Sequence, residues 1–295
     1  MGRQVEGWPR KMIRLYAGMV QDVGDGVYTD DTEMMIGIME SLTEHPDFDP
    51  ALTAQRFVEN FHGFRGYGAR IYGIVDRLRR GDSWDRVGTD SWGNGGAMRI
   101  APIGFFYYND REKLVQTALL SAQITHRHRQ GMAGALAQAL AVGLATEHGV
   151  RKQQVDRCSF LREIATQVRL VDHEVADELS RIGSLETAGG LEDKIEQIAA
   201  AFARDISAKG AVPPALASFL LNGSFSDTVV TAVNCGGDTD TVGAMAGAVA
   251  GAYYGFSAIP REWVVPLENG EKGRDYVVAL GKGLAELKAK QMEEM

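Results

Sequence analysis

Apolar residues along this chain recur mostly at three- and four-residue spacings, the period of a helix that buries one face. The pattern predicts helices at about 31–44, 50–61, 68–80, 111–124, 128–148, 157–168, 172–182, 191–207, 213–222, 226–233, 240–255 and 273–292. The period-two alternation of half-buried strands is nearly absent. Only 98–108, interrupted by Pro102 and rich in β-formers, reads as extended. No 20–50-residue repeat and no low-complexity linker divides the chain. The expectation is an all-α fold in one domain over 1–295.

Two segments look like central helices. Residues 131–145, GMAGALAQALAVGLA, are small and apolar throughout. Gly243, Gly247, Gly251 and Gly255 recur every fourth residue, with Ala244, Ala248 and Ala252 beside them. Spacing of four makes one stripe on a helix. Such a stripe lets a neighbouring backbone come close, at about 1 kcal/mol of helix propensity per glycine. The more charged stretch 149–212 reads as surface helices without chemistry, and 273–292 as a solvated helix.

Composition narrows the class. At 45% hydrophobic and 24% charged, the chain is an ordinary globular protein. Lys and Arg number 31 against 39 Asp and Glu, a net charge of −8. That balance argues against direct nucleic-acid binding, which needs clustered cations. A small anion held by a few local groups stays open. Cys158 and Cys235 have no disulfide-framework or metal-ligand spacing, as expected of reduced thiols in a cytoplasmic protein. The first fifteen residues lack an apolar signal core. The uncharged run 242–258 is rich in Gly and Ala and reads as a buried helix rather than a membrane span.

Four segments could carry chemistry. Tyr28-Thr29-Asp30-Asp31-Thr32 sets two carboxylates beside hydroxyls, hard oxygen donors suited to Mg²⁺, Ca²⁺ or Mn²⁺. The same residues also fit a helix start, with Asp30 and Glu33 as a capping box. Asn234-Cys235-Gly236-Gly237-Asp238-Thr239-Asp240-Thr241 repeats the pattern before an apolar helix, where one N-cap needs no second acidic residue. If both helix starts face one pocket, their oxygens would hold two hard cations, which explains why four carboxylates are gathered. Ser91-Trp92-Gly93-Asn94-Gly95-Gly96-Ala97-Met98-Arg99 is a glycine-rich turn whose N–H groups could cradle phosphate. No P-loop lysine follows. Trp92 could stack on a base or sit in the core, and Arg99 could meet a phosphate or a structural carboxylate. In Thr125-His126-Arg127-His128, the two histidines at i and i+2 would face different sides of a helix, so one shared metal is not expected.

Taken in order, YTDDT (28–32), SWGNGGAMRIAP (91–102), THRH (125–128) and NCGGDTDTVGAMAGAVAGAYYG (234–255) resemble the ADP-ribosylglycohydrolase family. The resemblance implies an all-α fold: a single compact orthogonal multi-helix domain with a binuclear metal cleft. It implies hydrolysis of the bond between C1″ of ADP-ribose and an acceptor, so the partner is ADP-ribose or an ADP-ribosylated protein. By position, Thr29, Asp30, Asp31, Asp238, Asp240 and Thr241 match the ligands of two Mg²⁺ or Mn²⁺ ions. Ser91, Trp92, Gly93, Asn94, Gly95, Gly96, Met98 and His126 match substrate-contacting positions. Serine at 91 and an aromatic at 92 are similar to the branch that cleaves serine-linked ADP-ribose, poly(ADP-ribose) or O-acetyl-ADP-ribose. The family's Gly-Asp-x-x-Gly helix is expected to be missing, because the chain starts near its last glycine. An exposed apolar groove is expected in its place. Glu6 falls where that branch has a glutamate near the scissile bond, so Glu6 or Asp31 is the expected general acid/base. Two rivals are a catalytically silent relative on the same fold and a two-metal phosphohydrolase.

Overall fold

The computed structural model describes residues 26–294, and these form sixteen α-helices. They are α1 (Asp30–Glu44), α2 (Pro50–Asn60), α3 (Ala69–Arg79), α4 (Trp84–Val87), α5 (Gly95–Met98), α6 (Ala101–Phe106), α7 (Arg111–Gln123) and α8 (Arg129–Arg151). Then follow α9 (Arg157–Arg169), α10 (His173–Arg181), α11 (Leu191–Ala201), α12 (Ala208–Leu220), α13 (Phe225–Asn234), α14 (Thr239–Tyr254), α15 (Arg261–Val264) and α16 (Arg274–Glu293). Among the described residues no strand forms. Two isolated bridges occur, Thr89 with His126 and Gly93 with Ser207. The all-α expectation holds. No helix is long and apolar enough to cross a membrane among these residues.

The segment 98–108 is helical rather than extended. Pro102 sits at the second position of α6, where its missing N–H costs nothing and its fixed φ favours the helix. The helix expected at 191–207 ends at Ala201, and α12 starts at Ala208 rather than 213. Ser207 caps α12 by accepting the Gly210 N–H (2.9 Å), so Pro213 and Pro214 fall in its second turn. Pro214 has no N–H to offer the carbonyl of Gly210. That carbonyl instead accepts the N–H of Arg204 (3.1 Å).

The helix α8 runs through the centre, buried almost continuously from Gly131 to Thr146. Around it pack α5, α6, α7, α9, α12 and α14. Small residues permit this crowding. A Cβ on Gly104 of α6 would lie 2.5 Å from the Ala139 carbonyl oxygen of α8. The stripe on α14 faces α13, but it meets side chains rather than backbone. Gly243, Gly247 and Gly251 look onto Val233, Val229 and Phe225 in turn. The helix α16 buries only Leu284 and Lys288, as a solvated helix should. The apolar groove expected from a missing first helix concerns residues 1–25, outside the described residues.

Helix starts differ in how their first-turn N–H groups are met. In α2, α7, α9 and α10 an Asp side chain accepts an N–H of the first turn, and in α12 and α13 a Ser does. At α1 and α14 the N-cap residues, Thr29 and Asp238, make no such bond. The Asp238 carboxylate is therefore not spent on capping.

Two substitutions separate the two kinds of glycine. Gly104→Ala should lose about 1–3 kcal/mol through overpacking against α8. Gly247→Ala, whose Cβ would meet Val229 at an ordinary 3.6 Å, should gain about 0.5–1 kcal/mol. Urea unfolding of both variants checks the pair.

Candidate active site

The starts of α1 and α14 face one cleft. A cavity of about 430 Å³ is lined by Asp30, Asp238, Asp240 and Thr241, and also by Ser91, Trp92, Gly93, Asn94, Gly95, Met98 and His126. The volume lies within the ordinary range for a small-molecule site. Residues from four segments dispersed over the chain thus line one cavity.

Asp31 stands behind the wall, only 3% exposed. Its Oδ2 accepts the Thr29 hydroxyl (2.8 Å), while its Oδ1 is buried with no hydrogen-bond partner. Burial, with Asp30 and Asp240 nearby, pushes the Asp31 carboxyl up to about 7. Asp238 is pushed up to about 8 by burial and by Asp240, with Asp31 adding a smaller push. Its Oδ2 accepts the side-chain amide of Asn94 (2.6 Å). Asp240 Oδ1 accepts the Thr241 N–H (3.0 Å). Among the described residues no three His, Cys, Asp or Glu side chains converge as a finished metal cage. What stands there is two pairs of mutually repelling carboxylates, neighbouring hydroxyls and one buried oxygen without a partner. These are hard oxygen donors short of positive charge, so the residues fit a hard divalent cation.

The capping-box reading of Asp30 and Glu33 fails. Thr29, not Asp30, is the N-cap, and Glu33 turns inward. Its carboxylate accepts the Tyr67 hydroxyl (2.7 Å) and the His62 N–H (3.0 Å), and it lies 2.8 Å from His62 Nδ1. These contacts hold the first turn of α1 from the side away from Asp30's cavity.

At the start of α14, Gly236 and Gly237 have φ of +81° and +84°, where side chains other than glycine's are strained. A Cβ on Gly237 would lie 2.0 Å from the Arg204 carbonyl oxygen. The two glycines let the loop turn sharply and deliver Asp238 to the cleft.

The glycine-rich loop is pinned rather than open. Gly93 N–H donates to Ser91 Oγ (3.3 Å), Asn94 N–H to the Ile206 carbonyl (3.0 Å), and Ala208 N–H to the Trp92 carbonyl (3.0 Å). Two donors expected to cradle phosphate are therefore engaged. Gly95 lies against His126, where a Cβ would come within 2.9 Å of the ring. Gly96 faces away from the cavity, packed on Ala135 and the Gly131 carbonyl of α8. Trp92 is 42% exposed at the rim, beside exposed Ile206, so it is not a core residue.

Arg99 meets neither phosphate nor carboxylate. It is fully buried and donates to the carbonyls of Gly95 (3.1 Å) and Ser121 (3.0 Å). Burial lowers its pKa to about 9. His126 is buried beneath the loop, its Nδ1 2.7 Å from the Thr125 hydroxyl. Burial first, then Arg99 and Arg70, depress the ring to about 3. At neutral pH it is uncharged, with one donor and one acceptor nitrogen. Glu6 lies outside the described residues.

Sequence reading missed two arginines. Arg70 lines the cavity and donates to the Asp90 carbonyl (3.1 Å), but it sits in an ordinary amphipathic helix. Arg204 underlies the Asp238 loop from a stretch dismissed as surface, and no spacing rule marks it.

A family model described as ADP-ribosylglycohydrolase matches residues 1–294. An uncharacterized protein of Archaeoglobus fulgidus is 32% identical over 97% of this chain and 92% of its own length. ADP-ribosylhydrolase ARH3 of Homo sapiens is 32% identical over 83% of this chain and 76% of its own. Uncharacterized protein YegU of Escherichia coli is 26% identical over 88% and 85%. A solved structure described as an ADP-ribosylglycohydrolase-related protein complex superposes with a TM-score of 0.75 at 27% identity, covering 97% of this chain and 92% of that one.

The carboxylate cluster has a signature in metal-free protein. A carboxyl raised in the folded state binds protons that the unfolded chain has released, so stability is lost as pH rises toward the folded pKa. With Asp31 near 7 and Asp238 near 8, the melting temperature in EDTA should fall between pH 5 and pH 8. Asp31→Asn should raise the metal-free melting temperature at pH 8. Thermal melts of both proteins across that range check the sign.

Proposed function

The chain belongs to the ADP-ribosylglycohydrolase family and is a glycosyl hydrolase acting on ADP-ribose; on that premise we propose that it frees ADP-ribose from serine-linked or related O-linked acceptors in a divalent-metal-dependent reaction. The observation that carries the metal dependence is the buried, unpartnered Asp31 Oδ1 among four carboxylates. Thr29, Asp30, Asp31, Asp238, Asp240 and Thr241 would hold two Mg²⁺ or Mn²⁺ ions. Cations held there supply Lewis acidity and a template for the ribose hydroxyls.

The rest of the chemistry belongs to side chains. The scissile bond is an acetal, so its rupture passes through an oxocarbenium-like state that needs a proton for the leaving oxygen and an oriented water. Asp31 is buried and does not line the cavity, which suits a ligand better than a proton carrier. The general acid/base role therefore goes to Glu6. Trp92 at the rim offers a flat face to the adenine, and neutral His126 offers a hydrogen bond under the loop. Arg70 offers a cation to the diphosphate. Ser91, Gly93, Asn94, Gly95 and Met98 shape the ribose and phosphate side of the cavity. Gly96 supports that wall by letting it pack on α8. The acceptor class rests on the Ser91–Trp92 pair. The two free cysteines suit a cytoplasmic enzyme.

Release of ADP-ribose from a serine-ADP-ribosylated peptide in Mg²⁺ tests the reading. Glu6→Gln should lower kcat by about 10²–10⁴-fold while leaving metal binding intact. Asp30→Ala should raise the Mg²⁺ concentration needed for turnover and remove most of the activity, without lowering metal-free stability. Formation of AMP or phosphate in place of intact ADP-ribose would contradict the assignment.

A further inference from the structure

We propose that Arg204 is a positioning residue that sets the Asp238 carboxylate for metal binding, by tying the 235–238 turn to the start of α12. The inference rests on the metal reading of the cleft given above.

Arg204 is one of few non-glycine residues here with left-handed backbone, at φ +59°. Such a conformation persists only where surrounding contacts over-determine it. Four contacts do so. Its N–H donates to the Gly210 carbonyl (3.1 Å), the acceptor left open by Pro214. Its carbonyl accepts the Asp238 N–H (2.9 Å). Its Nε donates to the Phe202 carbonyl (3.0 Å), and its guanidinium donates to the Cys235 carbonyl.

The turn 235–238 is thus gripped at both ends by one residue. Cys235 is held at its carbonyl and Asp238 at its N–H, while Gly237 lies so close to the Arg204 carbonyl that no side chain fits between. From the cavity side, Asn94 holds the Asp238 carboxylate, and the Asn94 N–H is fixed on Ile206, two residues beyond Arg204. Segment 204–207 therefore locates the carboxylate from behind and its amide partner from the front. No capping bond from Asp238 does this work, because it makes none. Arg204 touches neither the cavity nor a substrate position, so it acts through Asp238 alone.

Arg204→Gly is the informative variant. Glycine takes φ +59° without strain and keeps the backbone N–H and carbonyl, so only the guanidinium ties are lost. Mn²⁺ binding is read by electron paramagnetic resonance of the free ion, beside thermal melts in EDTA. The expected result is about a tenfold or greater loss of Mn²⁺ affinity, with a metal-free melting temperature no lower than wild type. Turnover should recover toward the wild-type kcat at saturating Mn²⁺. Arg204→Lys, which can still reach the Cys235 carbonyl, should fall between the two. Wild-type Mn²⁺ affinity in Arg204→Gly would overturn the proposal. So would an affinity loss matched by a falling metal-free melting temperature in both variants, the mark of a merely structural role. A wild-type protein that binds no Mn²⁺ would defeat the metal reading itself, and the Arg204 role with it.

Discussion

Four carboxylates set at the N-termini of two helices repel one another, and the cleft is organised around that repulsion. Helix starts favour negative charge, which offsets part of the cost, yet Asp31 and Asp238 are still pushed far above the usual carboxylate range. A fold could relieve the strain by turning these groups to solvent or spending them as caps. Here it does neither. Six other helices, α2, α7, α9, α10, α12 and α13, cap with a single Asp or Ser residue. At α1 and α14 the N-cap side chains accept no first-turn N–H, and Asp31 is buried with an oxygen unsatisfied. A buried, unsatisfied anion is costly, and a bound cation removes that cost.

The scaffold explains how two distant segments meet. The small residues of α8 let α5, α6, α12 and α14 close around one axis. This sets the glycine-rich loop beside the start of α14. Arg99, buried beneath, fastens the loop to α7 through Gly95 and Ser121. The neutral His126 fills the space that the loop glycines leave. Each part of the cleft is therefore held by core contacts behind it.

Much of this is legible in the chain because its signals are local. Apolar spacing marks the long helices, and the clusters YTDDT and NCGGDTDT mark the cleft, since hydroxyls, carboxylates and glycines crowd there beyond what a cap needs. Gly96 and Arg99 show the limit of a local signal. They sit in the right motif but serve its packing. The start of α12 was misplaced because proline usually opens helices, whereas Ser207 caps this one earlier. Arg204 was illegible for a different reason. Its role depends on a left-handed backbone and on contacts with Gly210, Cys235 and Asp238, none of which any periodicity encodes.

Calorimetric titration of ADP-ribose into the protein, first with Mg²⁺ and then with EDTA, tests most directly whether the carboxylates and the cavity act as one site. The account predicts saturable one-site binding with Mg²⁺ and its loss in EDTA. Equal affinity in both conditions would contradict it, because the cluster would then take no part in holding the ligand.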